Sequence, residues 1–214
     1  MELIVTRPKY DDVTFSLSHW FASILKECDK RGIKYFDLFH EKANKSQVHS
    51  ILSKNKSNLI VFNGHGSDDC IMGHKGEILI TNKEDLSLLK NRVIYAIACN
   101  SAAKLGKDCV AQGTLAFIGY NAPFVIISNP NKGLLPLEDE YIKPLMEASN
   151  EVTLTLIKGN TVDEAYARSQ IKFDYHIKKY QRNDAPPEAQ NILPVLYWNK
   201  MAQTKIGNGE TKLS

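Results

Sequence analysis

The stretch NLIVFNGHGSDD, residues 58 to 69, is apolar through Phe62 and then breaks at a histidine held between two glycines, Gly64-His65-Gly66. A second stretch, RVIYAIACNSAAKLG over residues 92 to 106, is also apolar and ends in Cys99. Thiol and imidazole together supply the groups for covalent acyl transfer. The thiolate is the nucleophile, a free thiol is only slightly ionised at neutral pH, and an imidazole can take its proton and later protonate a leaving amine. Glycines beside His65 let the backbone turn sharply and approach a ligand. The N–H groups of Gly66 and Cys99 can face a developing oxyanion, where losing one donor costs about 3 kcal/mol of transition-state stabilisation. Cys99 also precedes an expected helix, whose positive end favours a thiolate. A cysteine or an HG dipeptide alone is more often a packing or turn residue. Their occurrence at matching strand ends is what points to a site.

These residues must be positioned by the elements around them. Short apolar runs at ELIVT (2–6), IKYFDLF (33–39), LIVF (59–62), VIYAIA (93–98) and TLAFIGY (114–120) predict strands. Between them, 13–31 carries Leu17, Trp20, Phe21, Ile24, Leu25 and Cys28 at helical spacing and is stopped by Gly32, while 44–55 shows Val48, Ile51 and Leu52 on one face. SAAKLGKDCVAQG reads as a short helix with Ser101 at its N-cap and Gly113 at its end. The alternation predicts an α/β fold with a mainly parallel central sheet and helices on both faces. Runs apolar at nearly every position fit strands buried on both sides. In such sheets sites form at the carboxyl ends of strands, where His65 and Cys99 both fall. Residues 67–91 form a long connection in which EILIT is a small strand or hairpin arm, and 121–136 is an irregular loop with Pro123, Pro130, Gly133 and Pro136. From 137 the pattern is helical to Gly159. Thr161 and Glu164 form a capping-box pair opening a helix to about Gln181. NILPVLYW (191–198) reads as a last strand or extended segment, and 203–214 as a disordered polar tail beyond one domain over 1–200.

The blocks LIVFNGHGSDD and VIYAIACNSAAKLG resemble the His-Gly and Ala-Cys blocks of clan CD, the caspase-like cysteine peptidases. The wording is nearest to prokaryotic gingipain-like and CHAT-type members, and GTLAFIGY resembles the strand that follows their catalytic cysteine. The motif-level resemblance spans roughly 58–120. It implies a caspase-like three-layer sandwich and a cysteine endopeptidase acting on protein or peptide substrates through a His65/Cys99 dyad and a thioester acyl-enzyme. Gly66 and Cys99 would form the oxyanion hole. A regulatory partner protein or dimerisation is compatible with a chain of this length. The alternative is a catalytically silent caspase-like interaction module. For P1 specificity, Arg7 occupies the place of an arginine that binds acidic P1 residues in caspases, whereas Asp11, Asp12, Asp68 or Asp69 could serve an acidic pocket for basic residues. P1 stays open, with basic ahead on family closeness; the bland reading of each is a solvated turn residue or, for Arg7, a clamp on the sheet edge.

Composition limits the alternatives. The 214 residues carry 27 Lys+Arg against 24 Asp+Glu, and the net charge is +3. Without a dense cationic block interleaved with aromatics, nucleic-acid binding has no support. No apolar stretch approaches the roughly 20 residues that span a bilayer, and the N-terminus does not read as a signal peptide. With no CxxC pair, Cys28, Cys70, Cys99 and Cys109 read as reduced thiols of a cytoplasmic protein, Cys109 buried and Cys70 exposed. His74 lies near His65, but no i, i+4 histidine pair or carboxylate array supports a metal, and no cofactor motif appears, neither GxGxxG nor a P-loop. His19, His40, His49 and His176 read as surface or boundary residues, and Trp20 and Trp198 as packing residues.

Overall fold

Each apolar run becomes a strand whose alternate residues face opposite sides. The computed structural model describes residues 1–129 and 139–213. Strands β1 (Glu2–Arg7), β2 (Lys34–Phe39), β3 (Leu59–Asn63), β7 (Val93–Ile97), β8 (Ala116–Tyr120) and β9 (Gln203–Gly207) form a six-stranded sheet in the order β2-β1-β3-β7-β8-β9. All neighbours are parallel except β8 and β9. A smaller sheet of β4 (His65–Gly66), β5 (Cys70–Met72) and β6 (Ile78–Thr81) occupies the long connection between β3 and β7. Its last arm is the EILIT segment; the first two strands carry no apolar pattern of their own.

Leu3, Val5, Leu59, Val61, Val93, Tyr95 and Ile97 face α1 (Asp12–Lys30) and α4 (Ile142–Ile157). The intervening Ile4, Ile60, Phe62, Ile94 and Ala96 face α2 (Lys45–Lys54), α3 (Leu105–Ala111) and the β5–β6 hairpin. Period-two alternation with both phases apolar requires cover on both faces, which yields three layers. Helix α4 is buried nearly all round because α5 (Val162–Tyr180) and α6 (Ala189–Ala202) cover its outer side, through Leu145, Ala148, Phe173, Ile177, Ile192 and Leu196. The Thr161–Glu164 capping box is formed as expected.

Two C-terminal expectations are corrected. The NILPVLYW segment is helical. Ala189, Ile192, Leu196 and Asn199 are its buried stripe, and a short apolar run does not distinguish strand from buried helix. Of the expected tail over 203–214, residues 203–213 are not free: β9 pairs with β8 along its length, Lys212 bridges to Thr161, and Leu213 is buried. Pairing with a distant edge strand leaves little local signature, since only Ile206 of β9 joins the core. Gln203 also donates to the Tyr120 hydroxyl and to Ser169 Oγ, joining β9 to the sheet and to α5. Pro130, Gly133, Pro136 and the first residues of the helical pattern from 137 lie outside the described residues. Among the described residues, no helix is long and apolar enough to cross a membrane.

Candidate active site

The chain runs from β1 outward to β2, then returns to the other side of β1 as β3. The strand order therefore reverses between β1 and β3, where open α/β sheets form their crevice beyond the carboxyl ends. Asp11 follows β1, His65 follows β3 and Cys99 follows β7, all on that edge.

Register brings the last two together. Asn63 pairs with Ile97, so His65 and Cys99 each stand two residues past a matched pair on adjacent parallel strands. The Gly64 N–H donates to the Ile97 carbonyl at 3.3 Å, continuing the contact past the end of β3. Asn63 is fully buried; its side-chain amide donates to the Thr6 carbonyl at 3.0 Å and ties the ends of β1 and β3. The glycines flanking His65 are required sterically. A Cβ on Gly64, at φ +157°, would stand 2.3 Å from the Met72 carbonyl oxygen. One on Gly66 would stand 2.8 Å from the Cys99 carbonyl oxygen and 2.9 Å from Ala98 Cβ. The backbone beside the imidazole is thus pressed against the backbone that carries the thiol.

The direction of the Gly66 N–H follows from the ladder. The Ser67 N–H donates to the Cys70 carbonyl at 2.9 Å, so in the antiparallel β4–β5 pair Gly66 opposite Ile71 is the non-hydrogen-bonded position. The Gly66 N–H consequently points away from β5. The Cys99 N–H makes no hydrogen bond within the described residues. Asn100, directly after Cys99, adopts φ +54°, a left-handed turn that Asn tolerates better than most residues, and its N–H donates to the Ala122 carbonyl at 3.2 Å.

Asp11 is the partner that the sequence reading missed. Its Oδ2 lies 2.7 Å from His65 Nε2, while its Oδ1 accepts from the Thr14 N–H at 2.8 Å as the N-cap of α1. Burial pushes its carboxyl pKa up. Hydrogen bonds from the Thr14 N–H, His65 and the Thr14 hydroxyl outweigh that, holding it below the ordinary value. The Asp-x-x-Thr spacing at 11–14 signals a helix cap, but nothing local in it says that the second oxygen meets a histidine after another strand. Tyr10 lies edge-on to His65 with ring centroids 6.0 Å apart.

The other specificity candidates are placed as follows. Arg7 donates from Nε and Nη2 to both oxygens of Asp37, at 2.8 and 2.5 Å, and from Nη1 to the Ser18 carbonyl at 2.8 Å. It is built as a clamp between β1, β2 and α1. Arg7→Ala leaves Asp37 without its bidentate partner, so urea denaturation should show a loss of about 1–3 kcal/mol. Asp69 accepts from Ser67 Oγ and pairs with Lys83 at 2.6 Å; that lysine and the serine lower its carboxyl pKa to about 2. Asp12 is exposed in the first turn of α1. Asp68 is exposed between β4 and β5, and its carbonyl accepts from the Leu105 N–H.

Several local expectations change around Cys99. Helix α3 begins only at Leu105, with Lys104 at its N-cap, so Ser101 does not cap it and its dipole does not reach Cys99 directly. Ser101 is fully buried, with its hydroxyl against β8, where it accepts from the Tyr120 N–H at 3.4 Å. Cys70 is buried on β5 rather than exposed. Burial raises the Cys28 thiol pKa to about 11 and that of Cys109 to about 12. Cys99 alone of the four is not buried, and its thiol faces the Phe124 carbonyl at 3.7 Å. The loop carrying Phe124 is pinned by α6: Asn199 exchanges hydrogen bonds with Val125 at 2.9 and 2.7 Å, and Trp198 Nε1 donates to the Pro123 carbonyl at 2.7 Å. Trp198 is thus a loop anchor on a half-exposed ring. Among the described residues, no group of three His, Cys, Asp or Glu side chains could hold a metal ion.

No family model matches the chain. An uncharacterized protein of Methanocaldococcus jannaschii is 28% identical over 144 residues, 63% of this chain and 37% of that relative. Among solved structures, the Arg-specific cysteine proteinase gingipain R superposes with a TM-score of 0.55 at 15% identity, over 98% of this chain and 46% of that one. Separase of Saccharomyces cerevisiae, solved with securin, has a TM-score of 0.55 at 18% identity, over 96% of this chain and 11% of that one. A complex of the pro- and mature domains of Porphyromonas gingivalis RgpB also gives 0.55, at 12% identity, over 98% of this chain and 47% of that one. The chain therefore spans less than half the length of these relatives. The likeness shows the fold, a caspase-like three-layer sandwich.

Proposed function

We propose that this chain is a cysteine endopeptidase with Cys99 as nucleophile and His65 as general acid/base. The observation that supports this reading is the register of β3 and β7, in which His65, held by the Asp11 carboxylate, and the half-buried Cys99 each follow the matched Asn63–Ile97 pair by two residues. Cys99 gives up its proton to His65 and attacks the peptide carbonyl carbon, forming a C–S bond. The oxyanion is held by the N–H groups of Gly66 and Cys99. His65 then protonates the departing amine as the C–N bond breaks. In the second half-reaction His65 takes a proton from water, the hydroxide attacks the thioester, and Cys99 leaves as thiolate and is reprotonated.

Asp11 acts by orienting His65, as the third group does in triad sites. Asp11→Asn keeps the cap acceptor and removes the charge. We expect kcat/KM to fall about 10-fold or more. Because the native Asp11 pKa is depressed, its stabilising contribution is present above the ordinary carboxylate range and is lost as pH falls through the native value. Urea denaturation should therefore show the gap between wild type and Asp11→Asn closing in acid. A gap constant with pH would contradict this assignment.

A basic P1 residue is the preferred substrate feature. Support comes from the engagement of Arg7 by Asp37 and Ser18, which leaves it poorly placed for an acidic side chain, and from the exposure of Asp68, two residues after Gly66 in the chain. The Arg-specific neighbour is consistent with it. Neighbours solved with securin or a pro-domain support a regulatory protein partner on the same footing. The test is incubation with peptidyl acyloxymethyl ketones carrying Lys or Asp at P1, followed by mass mapping and peptide-library cleavage. One adduct on Cys99, faster with Lys, and cleavage after basic residues are expected. An unreactive Cys99 would favour the silent interaction module, and faster reaction with Asp would reverse the specificity.

A further inference from the structure

Between residues 121 and 125, after β8, the main-chain polar groups alternate between two neighbours. The carbonyls of Ala122 and Phe124 face the turn that carries Cys99: the first accepts from the Asn100 N–H at 3.2 Å, the second from the Cys99 thiol at 3.7 Å. The intervening groups face α6. The Asn121 N–H donates to the Ala202 carbonyl at 2.8 Å, and the Pro123 carbonyl accepts from Trp198 Nε1 at 2.7 Å. Val125 places both its N–H and its carbonyl on the Asn199 amide, at 2.9 and 2.7 Å. The Phe124 carbonyl and the Val125 N–H belong to one planar trans peptide group, so they point in opposite directions. Fixing that N–H on Asn199 therefore aims the carbonyl at the Cys99 side. Trp198 holds the preceding peptide group in the same way, and the buried Phe124 ring lies 4.7 Å from that of Tyr120.

Packing alone does not call for these two side chains. Asn199 is fully buried on the stripe formed with Ala189, Ile192, Leu196 and Ala202, whose other members are apolar. A polar side chain is tolerated there only because its hydrogen bonds are made, and among the described residues they are made to Val125. An aliphatic residue would fill the stripe and leave the loop unheld.

We propose that Asn199 and Trp198 are positioning residues for Cys99, acting through the Phe124 carbonyl; their part in turnover rests on Cys99 being the nucleophile of the peptidase reading. The thiol has no other hydrogen-bond partner among the described residues, so the place of that carbonyl governs which way the sulfur faces. A misplacement of about 1 Å at such a point costs about 100-fold in rate with every reacting group still present. Helix α6 belongs in this way to the active site, although it stands far along the chain from Cys99.

The test compares Asn199→Ala and Trp198→Phe with the wild-type chain and with Tyr197→Phe, a neighbour on α6 whose hydroxyl accepts from Gln181 instead of holding the loop. With a peptidyl-Lys aminomethylcoumarin substrate, kcat should fall at least about 10-fold in Asn199→Ala and about 3-fold in Trp198→Phe, with KM little changed. Tyr197→Phe should match wild type. All assays run below the onset of thermal unfolding of each variant, so a loss of stability alone does not move kcat. A second measurement needs no turnover: alkylation of Cys99 by iodoacetamide, followed by peptide mass mapping, should quicken about 5-fold in Asn199→Ala, because the released carbonyl no longer covers the thiol. Should Asn199→Ala not fold, Trp198→Phe, on a half-exposed ring, decides by the same two measurements. Unchanged kcat and unchanged alkylation in the folded variants would overturn the assignment, as would a rise in KM with kcat kept. No turnover by any of the proteins, with alkylation still quickened, would sink the peptidase reading and leave the clamp on the thiol standing.

Discussion

With Cys99 as the proposed nucleophile, Cys99→Ala should remove peptide turnover, lowering kcat/KM by at least about 10⁴-fold, while the melting temperature should move by no more than a few degrees. The thiol is half-buried, and its one hydrogen bond among the described residues, to the Phe124 carbonyl at 3.7 Å, is weak. Truncating it opens little cavity and leaves no buried partner stranded, so the stability cost stays within about 1 kcal/mol. The chemical cost is total for a covalent route, because no other group stands at that position to form the acyl bond. His65→Ala should cost a similar factor, and the double variant no more than either alone, because groups acting as one unit are not additive. Peptide cleavage under initial-rate conditions checks this, with thermal unfolding run in parallel. Turnover surviving in Cys99→Ala would end the proposed mechanism. The other thiols provide an internal control. Cys28 and Cys109 are buried and hard to ionise, so native alkylation should stop at Cys99.

Gly66→Ala should also be damaging, to a smaller degree, although it deletes no reacting group. The added methyl would sit 2.8 Å from the Cys99 carbonyl oxygen and 2.9 Å from Ala98 Cβ, separations that real Cβ atoms do not hold. One of the two backbones must shift by several tenths of an ångström. That movement would displace the Gly66 N–H from its proposed place at the oxyanion and shift the backbone that carries His65 against the backbone that carries Cys99. Losing one such donor or a small part of the alignment costs about 100-fold in rate, and the effect should appear in kcat more than in KM. Gly159→Ala is the control. Gly159 has φ +83° with nothing within 4 Å of an added Cβ, so its cost is conformational, about 1 kcal/mol of stability with no change in turnover. If Gly66→Ala keeps full activity, the backbone contact is not part of the machinery.

Much of the central sheet was legible because strands buried on both faces write their pattern locally. LIVF and VIYAIA are apolar in both phases, and only a covered parallel strand tolerates that. The breaks at Gly64-His65-Gly66 and after Cys99 marked the strand ends by the same logic. Capping was equally readable at Thr161 and Glu164, since a cap is made within four residues. Where the reading failed, the deciding contact was distant or the pattern too short. Ser101 resembles a cap but is consumed by β8, and β9 exists because an edge strand far back in the chain offered its unpaired backbone. His176 sits on a helix whose polar appearance gives no hint of the second layer laid over it by α6.

The amino-acid order alone determined which residues could do covalent chemistry, and that each would stand at the carboxyl end of a buried strand. Hydrophobic periodicity and glycine placement are local properties, carried by a few consecutive side chains. Tertiary structure alone decided that β3 and β7 are neighbours in matching register, that Asp11 reaches His65 across the β1–β3 crevice, and that Arg7 is engaged by Asp37. Those outcomes depend on which strands pair and in what register. Pairing is chosen by the burial of both sheet faces at once, a property of the whole assembled core rather than of any one segment.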